Sequence, residues 1–345
     1  MAPVAASAST APQKKLTPLQ QGLNFYRGKV ITLVSPDAVG GGFDTVARIV
    51  APVMASYLHA TVNVTNDAPA NTIAGQDLFE ASPPDGLTIG MLNAGSDIED
   101  IVTGSPGVNF NPQKTQFLGG NNPNAGQGFE CLTSSGISNF GKVVHATSPV
   151  SEVIVSTGTQ TLMLDLENAA FHINARVVGG YSNTSSEVQG QIRGDGQCSV
   201  MGISTSGFGP FLAAGKAKLL LDVFTPNPAT AFYSASTSAM TLATAYKTFK
   251  ATSRTESLAR TALSAVSGTG VGHEFNAPAK TPAAEVAALR AAVQSALTNI
   301  TVEDKLLAAG QQNGWVTGPR ALQDYKAELA ALTPVASIIK NALGI

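Results

Sequence analysis

Val30-Ile31-Thr32-Leu33-Val34 is a short β-branched run between Arg27-Gly28-Lys29 and a glycine-rich stretch, and it predicts a buried strand. Beyond the glycines, Val46, Ala47, Ile49 and Val50 recur at helical spacing, and Pro52 is expected to bend or interrupt that helix. Thr61-Val62-Asn63-Val64-Thr65 predicts a second strand. Leu87-Thr88-Ile89-Gly90-Met91-Leu92 predicts a third, after the turn Pro83-Pro84-Asp85-Gly86. Strands alternating with helices point to an α/β fold with a parallel sheet.

The middle of the chain repeats this order. Val153-Ile154-Val155 runs into the polar turn Ser156 to Thr161 and a helix over Leu162-Met163-Leu164-Asp165-Leu166. Ala175-Arg176-Val177-Val178, Cys198-Ser199-Val200-Met201 and Leu219-Leu220-Leu221 predict further strands. Near the end, Thr281 reads as the N-cap of a helix with Pro282 first and Val286, Leu289, Val293 and Leu297 in one stripe. Thr301-Val302-Glu303-Asp304 reads as a capping-box start closed by Gly310. Gly318-Pro319 opens a last helix carrying Leu322, Tyr325, Leu329 and Leu332.

A chain of 345 residues, 43% of them hydrophobic, has material for two domains with real cores. Charged residues make up only 13%, about half the ~25% of ordinary soluble domains, and the net charge is −2. A surface this poor in charge, with no cluster of Lys or Arg, excludes nucleic-acid binding through phosphate contacts. No apolar run reaches the ~18–20 residues that cross a bilayer. The first residues lack the basic and apolar regions of a signal peptide but resemble the segment just after a cleaved one: small residues, an Ala6-Ser7-Ala8 step, then Gln13-Lys14-Lys15. The expectation is an exported, mature protein; a cytoplasmic chain with an Ala/Ser-rich start reads alike.

Cys131 and Cys198 are far apart in sequence and the histidines are scattered singly, so no zinc-ligand spacing is present. The two cysteines read equally as one disulfide or as two buried thiols. Gly40-Gly41-Gly42-Phe43-Asp44 lacks the third glycine of a dinucleotide fingerprint. Gly136 to Val143 imitates a P-loop but has Val143 where magnesium needs a hydroxyl, and Gly202-Ile203-Ser204-Thr205-Ser206 is not a nucleophile elbow. No cofactor is expected.

The polar turns at 39–44 and 156–161 are alike: each comes after a strand, is rich in Gly, Ser or Thr, and precedes a helix. Two helix N-termini across a cleft would hold an anion through N–H groups, hydroxyls and helix dipoles, since neither turn carries Lys or Arg. A plain strand-to-helix turn is the competing reading of each.

Several further motifs stand in order along the chain. They are Phe25-Tyr26-Arg27-Gly28-Lys29, Gly40 to Arg48, Pro84-Asp85-Gly86-Leu87-Thr88-Ile89-Gly90 and Ser156-Thr157-Gly158-Thr159. Gly194-Asp195-Gly196-Gln197, Ala214-Gly215-Lys216 and Ala277-Pro278-Ala279-Lys280-Thr281-Pro282 continue them. In this order and spacing, from about residue 25 to the end, the chain resembles the extracytoplasmic solute-binding proteins of tripartite tricarboxylate transporters, the Bug-type receptors. The resemblance implies a two-lobed periplasmic-binding-protein fold of type II, each lobe a mixed sheet flanked by helices, with the ligand at the hinge. Residues 1–24 read as a disordered tail, and the expected lobes are 25–125 plus 266–345 and 126–265.

By the same resemblance, Val39, Gly40, Gly41, Gly42, Phe43 and Asp44 would form a first-lobe carboxylate cradle. Ser156, Thr157, Gly158, Thr159, Gln160 and Thr161 would be its second-lobe counterpart, with Tyr181, Ser182 and Asn183 as a further loop. Ala70, Asn71, Asn93 and Ser204 complete the expected ligand set. Asp44 reads more readily as a helix cap than as a ligand contact. Two departures stand out. The family's glycine-rich second loop here reads Pro69-Ala70-Asn71-Thr72-Ile73-Ala74-Gly75, and Asp37 stands where small or apolar residues are usual. A carboxylate at 37 would suit an amino group on a zwitterion, unless it faces solvent. The implied protein is a monomeric, non-enzymatic receptor in the periplasm that passes a small organic acid to membrane permease subunits. An α/β hydrolase with a cleft Ser or Thr nucleophile, and a ligand sensor with no transport role, are the alternatives.

Overall fold

A computed structural model describes residues 15–36, 39–66, 71–121, 127–155, 159–181, 184–202, 208–223, 239–269, 272–309, 311 and 314–343. The segment read as a tail is helical from Pro18 in α1 (Pro18–Tyr26), which starts with a capping box between Thr17 and Gln20. Tyr26 is buried and its hydroxyl donates to the Gly86 carbonyl at 2.9 Å.

The chain then alternates as its pattern predicts. In order come β1 (Val30–Ser35), α2 (Gly42–Leu58), β2 (Thr61–Asn66), α3 (Asn71–Glu80), β3 (Thr88–Asn93), α4 (Ala94–Thr103) and β4 (Gln116–Gly120). The next run is β5 (Gln127–Leu132), α5 (Phe140–Val144), β6 (Val150–Val155), α6 (Thr159–Phe171), β7 (Ala175–Tyr181) and α7 (Thr184–Arg193). It continues through β8 (Cys198–Gly202), α8 (Gly209–Ala213), β9 (Ala217–Asp222), β10 (Met240–Thr241), α9 (Leu242–Thr248) and α10 (Arg254–Thr269). The last elements are β11 (His273–Ala277), α11 (Ala283–Leu297), α12 (Ile300–Ala308), β12 (Val316–Thr317), α13 (Gly318–Leu332) and α14 (Ala336–Leu343).

The strands form two six-stranded sheets, ordered β12-β4-β11-β3-β1-β2 and β10-β9-β5-β8-β6-β7. Both are mixed. In the first, β2, β1 and β3 are parallel and β11 enters antiparallel to β3 and β4. In the second, β7, β6 and β8 are parallel and β5 enters antiparallel to β8 and β9. The orders correspond, with β1 matching β6 and β11 matching β5, except that the outer strand β12 runs antiparallel to β4 whereas β10 runs parallel to β9. Each sheet therefore takes its antiparallel strand from just beyond a crossing between them.

One apolar core packs Ile31, Leu33 and Ile89 of the first sheet against Val46, Val50 and Met54 of α2 and Leu289 and Val293 of α11. A second joins Phe129, Val200 and Leu221 to Leu162 and Leu166 of α6, and takes in Ile98 of α4, Tyr325 of α13 and Ile339 of α14. Helices α4, α13 and α14 thus share apolar surface with the second sheet's helices.

Local expectations needed four corrections. Helix α2 is not interrupted at Pro52, which lies on its exposed face, because the buried stripe from Val46 to Leu58 offsets the ~3 kcal/mol that an interior proline costs. Pro282, not Thr281, occupies the N-cap of α11, and the Thr281 hydroxyl instead donates to the Pro278 carbonyl. Asn299 caps α12, accepting from the N–H groups of Thr301 and Val302, while Gly310 lies outside the described residues. Helix α14 comes after the one read as last. Cys131 and Cys198 are bonded, facing each other across β5 and β8. Among the described residues no helix is long and apolar enough to cross a membrane.

Candidate functional site

The parallel strands β1 and β3 end at Ser35 and Asn93, and β4, which points the same way, ends at Gly120. The carboxyl edge of such a sheet is where α/β folds hold ligands. Both crossings leave from this edge, through Asn121 into β5 and back from α10 into β11. In the second sheet the equivalent edge carries Val155, Tyr181 and Gly202, and β5 starts there, with Gln127 opposite Gly202. Asn121 and Gln127 are six positions apart, so an extended chain holds the two edges within about 22 Å.

At the first edge, α2 begins where the sequence placed its glycine-rich turn. Gly41 occupies the N-cap with extended φ and ψ, and Gly40 turns the chain at φ +84°, a conformation glycine adopts without strain. Asp44 is 2% exposed and is used within the protein. Its carboxylate accepts from the Gly40 N–H at 2.9 Å, the Arg48 guanidinium at 2.8 Å and the Asn66 amide at 2.8 Å. Burial pushes its pKa up, but these donors, Arg48 foremost, hold it below the ordinary carboxylate value. The Gly40 N–H and the charge of Arg48 are thereby both spent on Asp44. The Thr45 N–H bonds back to the Gly41 carbonyl at 2.9 Å, closing the first turn of α2. Val39 stands 74% exposed beside this turn.

Three side chains without a local sequence signal gather here. His273, the first residue of β11, stacks edge-on to Phe43 with ring centroids 4.4 Å apart. A Cβ added at Gly42 would lie 3.7 Å from His273 Nε2 and 3.6 Å from Gln311 Oε1, so both groups line the start of α2. Asn121 fixes the imidazole: its Oδ1 accepts the His273 backbone N–H at 3.0 Å and lies 3.2 Å from Nδ1. Desolvation lowers the His273 pKa to about 4, so the ring is neutral at pH 7. His273 is a lone histidine in sequence and meets Asn121 only because β11 returns beside β4.

Asn93 ends β3 directly opposite His273 and precedes α4 without capping it through its side chain. Together with Pro36, Gln76, Phe79 and Asp97 it lines a cavity of about 20 Å³ between β1 and β3. That holds roughly one water. Helices α2 and α4, which follow β1 and β3, leave in opposite directions along the sheet at this point, α2 towards β2 and α4 towards β4.

In the second sheet, α6 starts at Thr159 after β6, matching α2 after β1. The buried Thr161 hydroxyl donates to the Val155 carbonyl at 3.0 Å, tying the helix start to the strand end. Gln160 is partly buried. Tyr181 ends β7, and its hydroxyl donates to Asp195 Oδ2 at 2.8 Å. Asp37, Ala70, Ser156, Thr157, Gly158, Ser182, Asn183 and Ser204 lie outside the described residues, as do the side chains of Asn71 and Thr159.

Solved structures match about nine-tenths of the chain. MatC from Rhodopseudomonas palustris, with bound malate, shares 19% identity at a TM-score of 0.67 over 89% of this chain and 99% of its own. The periplasmic binding protein BugD shares 18% at a TM-score of 0.67, covering 93% and 99%. Rpa4515 of R. palustris, with adipate, shares 16% at a TM-score of 0.63, covering 92% and 98%. The fold is that of the two-lobed periplasmic binding proteins. No protein-family model and no curated protein matches the sequence. The paired sheets of a binding-protein fold put α2 and α6 at equivalent places, which accounts for the likeness of the two polar turns.

Proposed function

We propose that this chain is an extracytoplasmic receptor that captures a small organic acid between two lobes and delivers it to a tripartite tricarboxylate-type transporter. The observation that carries the reading is the equivalence of α2 and α6. Each comes after the matching strand of a matching sheet, at edges joined by short crossings. The start of α2, with neutral His273 and Gln311 beside it, suits a carboxylate held by neutral donors and the helix dipole. The turn at 156–161 and the Tyr181-Ser182-Asn183 loop act as the second-lobe counterpart. The ligands bound in two of the similar structures, malate and adipate, are of this chemical class. The Cys131–Cys198 bond supports an oxidising compartment such as the periplasm. The chain works as a monomer and performs no reaction; its task is capture, lobe closure and release to membrane permease subunits.

A thermal-shift screen against di- and tricarboxylates, aromatic acids, amino acids and nicotinamide-type amides tests this reading. Ligand at 100 times its Kd adds ~2.7 kcal/mol, a shift of several degrees. A saturable shift with one class of acid is expected, with affinity of about 8–10 kcal/mol. Silence across all the acids overturns the proposal.

A further inference from the structure

The cavity between β1 and β3 differs in chemistry from the start of α2 beside it. Asp97, on the first turn of α4, is 1% exposed, and its Oδ2 has no hydrogen-bond partner among the described residues. Burial holds a proton on this carboxyl, and a buried polar oxygen left without a partner is costly. Among the described residues Gln76 bonds at 3.4 Å to Glu80, and the Asn93 side chain makes no capping bond, so two amides face the same space. The charged neighbours of Asp97 are Glu80 and Asp100, which repel a second carboxylate. The space admits a single heavy-atom group. It lies at the point where the strand order reverses, the place α/β sheets use for ligands. Asn93 also sits opposite His273, so the cavity is one cross-strand pair away from the carboxylate seat.

We infer that this cavity receives a hydroxyl or ammonium substituent of the captured acid, with Asp97 as its acceptor, and that the protein selects substituted over plain carboxylic acids. This rests on the receptor reading above. The occupant required is a small hydrogen-bond donor. An ordered water meets the same need and is the competing occupant.

The test is calorimetry on the intact protein with matched acids differing at one carbon: succinate, malate and aspartate, and adipate with its 2-hydroxy and 2-amino derivatives. At least one substituted acid should bind tenfold or more tightly than its plain parent, and whether the hydroxyl or the amine wins names the donor. Asp97→Leu should bring that ratio to about one, whereas Asp97→Asn, which keeps an amide oxygen as acceptor, should retain part of it. Asp97→Leu, which replaces an orphaned carboxyl by an apolar group of similar shape, should also raise the Tm of the ligand-free protein. That pairing of lost selectivity with gained stability separates a ligand role from a structural one. If plain and substituted acids bind equally, the cavity holds a water and the inference falls while the receptor reading stands. A ratio that survives Asp97→Leu also overturns it. If no acid binds at all, the receptor reading fails and takes this inference with it.

Discussion

The carboxylate of Asp44 accepts the backbone N–H of Gly40 at 2.9 Å, so the turn in front of α2 is fastened to that helix's own first turn. Arg48 and Asn66 complete the arrangement, and through Asn66 it reaches the end of β2. Asp44→Ala should therefore loosen the turn, costing about 1–3 kcal/mol in urea denaturation and weakening binding of any acid seated on α2. Because the Asp44 pKa is lowered in the folded state, its contribution is present above the ordinary value of 3.8 and is lost as pH falls below it. Wild-type and Asp44→Ala protein should converge in stability as the pH drops below that value. Divergence that persists there would contradict the ionic role.

Gly22 of α1 crosses α11 so closely that an added Cβ would lie 2.0 Å from the Ala284 carbonyl oxygen. Gly22→Ala should force α1 away, at a cost of about 1–3 kcal/mol, and expose Tyr26. Hydrogen exchange should show lost protection over residues 18–26. Unchanged protection would mean that α1 is not docked as described.

The Cys131–Cys198 bond closes a loop of 67 residues between directly opposed strand positions. In the chain-entropy model that contributes about 4 kcal/mol. Denatured, unreduced protein should show no titratable thiol. Replacing both cysteines by serine should lower the Tm by many degrees, since both sites are fully buried and the hydroxyls need partners.

Among the described residues, several buried carboxyls face neither Lys nor Arg. Burial raises Glu99, Glu152 and Glu187 to about 8 and Asp165 to about 7, with Asp165 beside Glu99 and Glu152 adding to the shift in those two. The folded chain then holds protons that the unfolded chain has released, so stability is full below the ordinary values of 3.8 to 4.5 and is lost as pH rises towards 8. Together with Asp44, which acts in the opposite sense below 3.8, this predicts a stability maximum on the acid side of neutrality. Glu152→Gln and Glu187→Gln should each flatten the pH dependence by roughly one proton, or ~1.4 kcal/mol per pH unit. Equal stability at pH 5 and pH 8 in the unaltered protein would refute it.

The strands and the principal helices were legible because each carries its own pattern: β-branched runs such as Val30 to Val34, and the stripe from Val286 to Leu297. The start of α2 was legible for the same local reason, since a strand, three glycines and a helical stripe succeed one another in the chain. Helix α1 was not, because its pairing partner α11 lies far along the chain and its closest contact is made by a glycine. Pro52 misled because a local cost was outweighed by burial on the opposite face of α2.

What the sequence by itself determined is the parallel strands of both sheets, the principal helices, their α/β alternation and the two polar turns, all of which rest on interactions within a few residues. Tertiary structure alone decided the rest. It spent Asp44 on Gly40 and Arg48, brought His273 and Asn121 together at the crossing, and left Asp97 buried beside Asn93 with an oxygen unpaired. Those outcomes depend on which strand lies next to which, and strand order is set by the summed burial of both sheets rather than by any one segment.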